Sequence, residues 1–145
     1  VTDFTNLAEN GIIDWFLRGQ AAPTLPGSWH IALFTGAPGE AGGGTEVLAG
    51  GYARQAVARS LAAWSGTQAA ASTVASTGTG GRSSNNAAIT FGAASADWGT
   101  VTHVAWMDAS TGGNAWIVRA LTTPRTVLNG DQVVFNPDTL ALTIA

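Results

Sequence analysis

The sequence predicts a mainly β protein, an antiparallel β-sandwich or jelly-roll-like domain of about eight short strands with one N-terminal helix and a long Ala/Ser/Thr/Gly arm. Three observations carry that expectation. Turn signals separate short apolar stretches throughout the C-terminal half, the pattern of a sandwich or barrel. Glycine supplies 19 of the 145 residues, and alanine and threonine crowd much of the rest, a composition suited to tightly turned β-structure. Helical spacing of apolar residues is confined to the start of the chain.

Residues 1–19 form the predicted helix. Thr2, Asp3 and Thr5 offer N-caps, and Gly19 offers a stop. Phe4, Leu7, Ile12, Trp15 and Phe16 approximate one broad face, while Glu9, Asp14 and Arg18 fall elsewhere. Gly11 costs about 1 kcal/mol relative to alanine and is expected to fray or bend the first half. Two roles stay open: a helix that plugs one end of the domain, or a docking helix whose Trp15 and Phe16 meet a neighbouring subunit.

Beyond a loop broken by Pro23 and Pro26, Ser28 to Thr35 is the strongest strand signal. A glycine- and proline-rich excursion follows to Glu46, then a second strand from Tyr52 to Arg59. Residues 66–84 are almost wholly Gly, Ala, Ser and Thr, with Val74 as the apolar anchor, and read as an extended arm or a long loop. A structureless stretch of that length suggests contact with another chain. Further strands are expected at Ala87 to Phe91, Thr100 to Met107 and Asn114 to Leu121, the last two joined by the turn Asp108 to Gly113. Asn129-Gly130, between Thr126-Val127-Leu128 and Gln132 to Phe135, is the best tight-hairpin signal. Asn136-Pro137-Asp138 turns the chain into a last strand, Thr139 to Ile144.

Length favours one domain over residues 1–145. Nine acids face six arginines with no lysine, for a net charge of −3, so the basic face that nucleic acid requires is missing. Cysteine is absent, which excludes disulfides, thiolate zinc sites and a thiol nucleophile. No run approaches the ~18 apolar residues of a membrane span, and no basic-then-apolar leader heads the sequence. A soluble domain with no membrane or nucleic-acid partner is therefore expected.

Chemical motifs are scarce. His30 and His103 are the histidines, each inside a predicted strand without metal-ligand spacing. Gly-x-Ser-x-Gly does not occur, and the glycine-rich segments at 42–45 and 78–82 lack the lysine of a phosphate loop. Asp97, Asp108, Asp131 and Asp138 occupy turn-like positions where aspartate commonly accepts backbone hydrogen bonds. The expectation is therefore no enzyme, no catalytic residue, no metal and no cofactor. Of the six tryptophans, Trp29, Trp106 and Trp116 lie in strands and read as core or sheet-face residues. The candidate interface residues are Trp15, Phe16, Trp64 and Trp98, with Val74 and Arg82 from the arm.

The order of blocks adds a resemblance. Trp29 to Thr35 leading to Ala37-Pro38, then Ala41 to Val47, then Gly50 to Val57, resembles a family of small tailed-bacteriophage virion proteins commonly labelled phage tail fibre proteins. Asn86 to Phe91, Ala96 to Val104, Asp108-Ala109, Thr111 to Asn114 and Leu121 to Gly130 follow in the same order. The resemblance implies a structural virion protein, assembled as a homo-oligomer with other particle proteins. Residues 66–84 are longer than the family pattern, which points toward a capsid decoration or cement role on the major capsid protein. The alternative is a tail fibre or minor tail protein, with host-glycan binding by loop aromatics such as Trp64 and Trp98.

Overall fold

The structure, a computed structural model, describes residues 3–144. In chain order these hold α1 (Asn6–Leu17), β1 (Ser28–Gly36), β2 (Thr45–Glu46), β3 (Gln55–Ala58), β4 (Arg82–Ser84), β5 (Ile89–Thr90), β6 (Gly99–Met107), β7 (Ala115–Val127), β8 (Val134–Phe135) and β9 (Ala141–Thr143). The protein is mainly β with antiparallel pairing, as its composition and turn spacing lead one to expect.

The main sheet is built around the most apolar run of the chain. β1 pairs with β6 along one edge, shares its other edge between β2 and β3, and β7 lies outside β6. Ile31 to Phe34 are buried without interruption, because both faces of this strand are covered. One face presents Ile31 and Leu33 of β1, Val104 and Trp106 of β6, and Ile117 of β7 to a core that also takes Phe91, Trp98 and Leu140. The opposite face carries a smaller cluster of Ala32, Phe34, Ala105 and Met107. Each large side chain so enclosed contributes roughly 1.5–3 kcal/mol.

A second layer completes the sandwich-like arrangement. The stretch from Arg82 to Ala94 runs antiparallel to the stretch from Gly130 to Thr143, through the pairs β4–β9 and β5–β8. Between those pairs the ladder is interrupted by the Asn136-Pro137-Asp138 turn, and Asn85 fills the gap. Its buried amide donates to Ala87 O at 2.8 Å and Asn136 O at 2.9 Å, while its Oδ1 accepts from Leu140 N–H at 2.8 Å. A side chain thus replaces missing rungs of backbone pairing.

Several local expectations change. Asn129-Gly130 does turn the chain, with Gly130 at φ +91° and Asp131 N–H bonded to Leu128 O at 3.0 Å. It does not make a hairpin, since β7 belongs to the main sheet and β8 pairs with β5. Donors in the turn bond outward instead, Asn129 N–H to Asp97 Oδ1 at 2.8 Å and Gly130 N–H to Ala94 O at 2.7 Å, so the turn is a corner between layers. The turn Asp108 to Gly113 does join β6 to β7 as a hairpin. Gly113 sits there at φ +69°, and an added Cβ would overlap Asp108 Oδ1.

Residues 66–81 take the loop form and not that of an extended arm, and the following residues enter β4. Gln68 closes the loop on itself, donating to Ser72 Oγ at 2.7 Å and Ala75 O at 3.2 Å and accepting from Thr77 N–H at 3.2 Å. Thr67 Oγ1 ties the loop ends through Gly78. Polar small residues supply these staples in place of an apolar anchor, and Val74 stays exposed. The short strands β2 and β4 are additions to the expected set; two or three residues are too few for alternation to register.

Candidate functional site

α1 begins where the chain leaves the sheet. Asp3 to Thr5 lie against the outer edge of β7, with Val118 N–H bonded to Asp3 O at 2.7 Å and a bridge from Phe4 to Ile117. Thr5 is the N-cap residue by backbone geometry, yet its hydroxyl makes no capping bond. It donates instead to Ala115 O at 2.8 Å, anchoring the root of the helix to β7. Glu9 in the first turn suits the positive end of the helix dipole. At the other end Gly19 takes φ +70°, and Arg18 pairs with Asp14 at 2.7 Å.

This helix has too much apolar surface for the body it packs on. Ala8, at 2% exposure, is its one buried residue. Gly11, expected to weaken the helix, allows Pro23 of the returning chain to pack close; an added Cβ would stand 2.8 Å from Pro23 Cγ. With 3.6 residues per turn, Ile13 and Leu17 fall on the side away from Ala8, and Phe16 on its flank. Phe16 is 76% exposed and Leu17 75% exposed. Trp15 leans edge-on against Phe16, ring centroids 6.2 Å apart, and is itself half exposed. Together these side chains leave an apolar strip exposed on the helix.

A second apolar feature opens from the face of the main sheet that carries Trp106 and Ile117. It is a groove of about 470 Å³ lined chiefly by Trp29, Trp64, Trp106, Ile117 and Leu142, with Leu61 and Arg59 at its rim. Trp64 is fixed there by Nε1–H donation to Ala58 O at 3.1 Å, its ring 6.2 Å from that of Trp106. Leu61 is exposed, and Arg59 donates Nε–H to Pro26 O at 2.9 Å.

Three arginine–carboxylate pairs hold charged side chains in place among the described residues. Arg54, its side chain 6% exposed, grips Glu46 with two bonds of 2.8 and 2.7 Å and donates to Ala109 O and Gly112 O, tying the β6–β7 turn to β2. Tyr52 OH donates to Glu46 Oε1 at 2.8 Å and accepts from Leu33 N–H at 2.9 Å. Burial alone would raise the Glu46 pKa, but the donors Arg54 and Tyr52 outweigh it and hold the carboxyl below its ordinary value. Burial, with the neighbouring carboxylate, pushes the Tyr52 phenol far up. Asp138 is lowered by the Ser84 hydroxyl at 2.6 Å and by Arg82 at 2.6 Å. Carboxylates pinned by such donors are poor proton acceptors at neutral pH. Among the described residues, no three His, Asp or Glu side chains converge as metal ligands would.

The sequence-predicted interface residues therefore separate. Trp15 and Phe16 share the exposed helix, Trp64 lines the groove on the opposite face of the sheet, and Val74 stands alone on its loop. Arg82 braces Asp138 between β4 and the turn before β9. Trp98 is not on the surface: at 5% exposure it is core, donating Nε1–H to Gly50 O at 2.9 Å and meeting Tyr52 edge-on. The Asp97-Trp98-Gly99 turn gave it a loop address, but Gly99 at φ +86° bends the chain so that the indole points inward. Ile13, Leu17 and Leu61 escaped sequence reasoning. For Ile13 and Leu17 the signal was present, as apolar positions at i and i+4 outside the broad face first drawn.

No curated protein is matched by this chain at a significant level. A family model described as "Podophage GP4 fiber I protein gp80" matches residues 3–143, nearly the whole length, and the expected family of phage fibre-type virion proteins is the one found. On that match, the chain belongs to the podophage fiber I protein family and is a structural protein of the bacteriophage virion.

Proposed function

We propose that the protein is a non-enzymatic fibre subunit that joins the particle through α1. The observation that carries this reading is the outward side of the helix, where Ile13, Phe16 and Leu17 remain exposed while Thr5 anchors the helix root to β7. Burying side chains of that size contributes about 1.5–3 kcal/mol each, the currency of stable assembly. The family description names a fibre, which moves the favoured position from the head surface to the fibre. The pinned acids described above support a structural role over a hydrolytic one. A host-glycan role through Trp64 and Trp98 loses Trp98 to the core.

Particle imaging by electron cryomicroscopy tests the position, with density for this chain expected in the fibre. Density confined to the head would replace the fibre reading with the cement role on the major capsid protein. Incubation with host envelope polysaccharide is expected to release no cleavage product; release of one would overturn the non-enzymatic reading.

A further inference from the structure

An asparagine followed by glycine carries the parts of a reaction of its own. The glycine nitrogen has no side chain beside it to hinder approach, and the asparagine amide carbon is within reach of it. The chain holds two such pairs, Asn10-Gly11 and Asn129-Gly130, in opposite settings. Asn10-Gly11 lies inside α1, where backbone N–H groups are committed to carbonyls four residues back. Pro23 also packs on Gly11, its Cγ 2.8 Å from where a Cβ would stand. Asn129 and Gly130 are both exposed at the corner between the layers. Gly130 has φ +91° and no atom within 4 Å of the place a Cβ would take.

We propose that Asn129 is a site of spontaneous deamidation whose rate is set by opening of this corner. The Gly130 nitrogen, its proton given up to hydroxide, attacks Cγ of Asn129. The N–Cγ bond forms, the Cγ–Nδ2 bond breaks, and the amide nitrogen takes a proton from water and leaves as ammonia. Water then opens the five-membered succinimide at either carbonyl, leaving aspartate or isoaspartate at position 129. The gate is the bonding of the turn. Gly130 N–H donates to Ala94 O at 2.7 Å, Asn129 N–H to Asp97 Oδ1 at 2.8 Å and Leu128 N–H to Asp131 Oδ2 at 2.9 Å. The attacking nitrogen has to leave Ala94 before it can lose its proton, which is a local opening of the fold. Conversion runs one way. Isoaspartate adds a methylene to the main chain, and either product sets a further carboxylate at a turn that already holds Asp97 and Asp131, so the same bonds no longer close together.

Peptide mapping by mass spectrometry tests this on the whole chain, incubated in mildly alkaline buffer. Three samples are compared: the folded parent, the parent unfolded in urea, and Asp97→Ala with folding verified by circular dichroism. The expected result is amide-to-acid conversion at Asn129 at least about tenfold slower in the folded parent than in the unfolded one, with Asp97→Ala in between. In the folded parent Asn129 should convert ahead of Asn10, and Asn129→Ser should show no conversion in that peptide. Equal rates in folded and unfolded parent, a comparison that stands without the variant, would remove the gate and overturn the proposal. Asp97→Ala no faster than the parent would overturn it too. No conversion at Asn129 in the unfolded chain, or Asn10 converting as fast as Asn129 in the folded one, would remove the site.

Discussion

The two β layers are held together in different ways. In the main sheet, β1, β6 and β7 run nine to thirteen residues each, and long ladders, interrupted by bulges between β6 and β7, coincide with apolar burial of β1 and β6. In the second layer the paired stretches are two or three residues long, and Asn85, Ser84 and Asp138 carry the bonding between them. The comparison teaches that a layer can keep its shape with little ladder when buried amides and hydroxyls supply directional bonds. Such a layer should fail through different substitutions and a different pH.

The largest effect is expected in the main sheet. Leu33→Ala removes a fully buried side chain between the layers and should cost about 3 kcal/mol in chemical denaturation. Asn85→Ala should cost about 2 kcal/mol, because Leu140 N–H and the carbonyls of Ala87 and Asn136 lose their partner in a dry site. A cost near zero there would mean that the second layer stands on apolar contact alone, and the contrast drawn above would collapse.

Acid should sharpen the contrast further. Asp138 ionises more readily folded than unfolded, owing to Ser84 and then Arg82, so its contribution is present above the ordinary carboxylate value of 3.8. That contribution disappears as the pH falls through the lowered folded value. Asp138→Asn should therefore flatten part of the acid decline in Tm measured from pH 7 down to about pH 3. The remaining decline belongs to Glu46 and Asp108, whose pKa values are also lowered despite partial burial, Asp108 by donors from Asn114 and Trp116. An unchanged profile in the Asp138→Asn variant would place no pH-sensitive bond in the second layer.

The smallest effect on stability is expected from Phe16→Ser. The ring touches solvent over most of its surface, so monomer stability should change by less than about 0.5 kcal/mol while incorporation into the particle is weakened. A large loss of stability would show instead that the helix side is part of the fold.

How far the sequence could be read follows the same division. β1, β6 and the first half of β7 were legible because apolar, β-branched and aromatic residues recur there in long runs bounded by glycine. Its continuation was not, and Thr126-Val127-Leu128 read as a separate strand, since Leu121 to Pro124 bulge out between the pairs His103–Ala120 and Val101–Arg125, and Pro124 has no N–H for a ladder. Strands of the second layer were placed at Ala87 to Phe91, Gln132 to Phe135 and Thr139 to Ile144, but their pairing was not, because the bonds that join them run from Asn85 to residues some fifty positions away. A helix was visible from spacing, and Trp15 and Phe16, singled out on it, are exposed. Trp29, Trp106 and Trp116 were placed correctly as core or sheet-face residues, but Trp98 was not, because a loop address says nothing about direction: Trp98 turned in and Trp64 took the groove.

The root of α1 has a mechanical consequence. Val118 N–H to Asp3 O, Thr5 N–H to Trp116 O, Thr5 Oγ1 to Ala115 O and Asn6 N–H to Glu40 O lie within four residues of the helix start. Tension applied through α1 meets all four before any strand moves, and three of them lead into β7 and so across the whole sheet. The start of the helix is thus fastened to the sheet by side-by-side bonds and not by the chain alone.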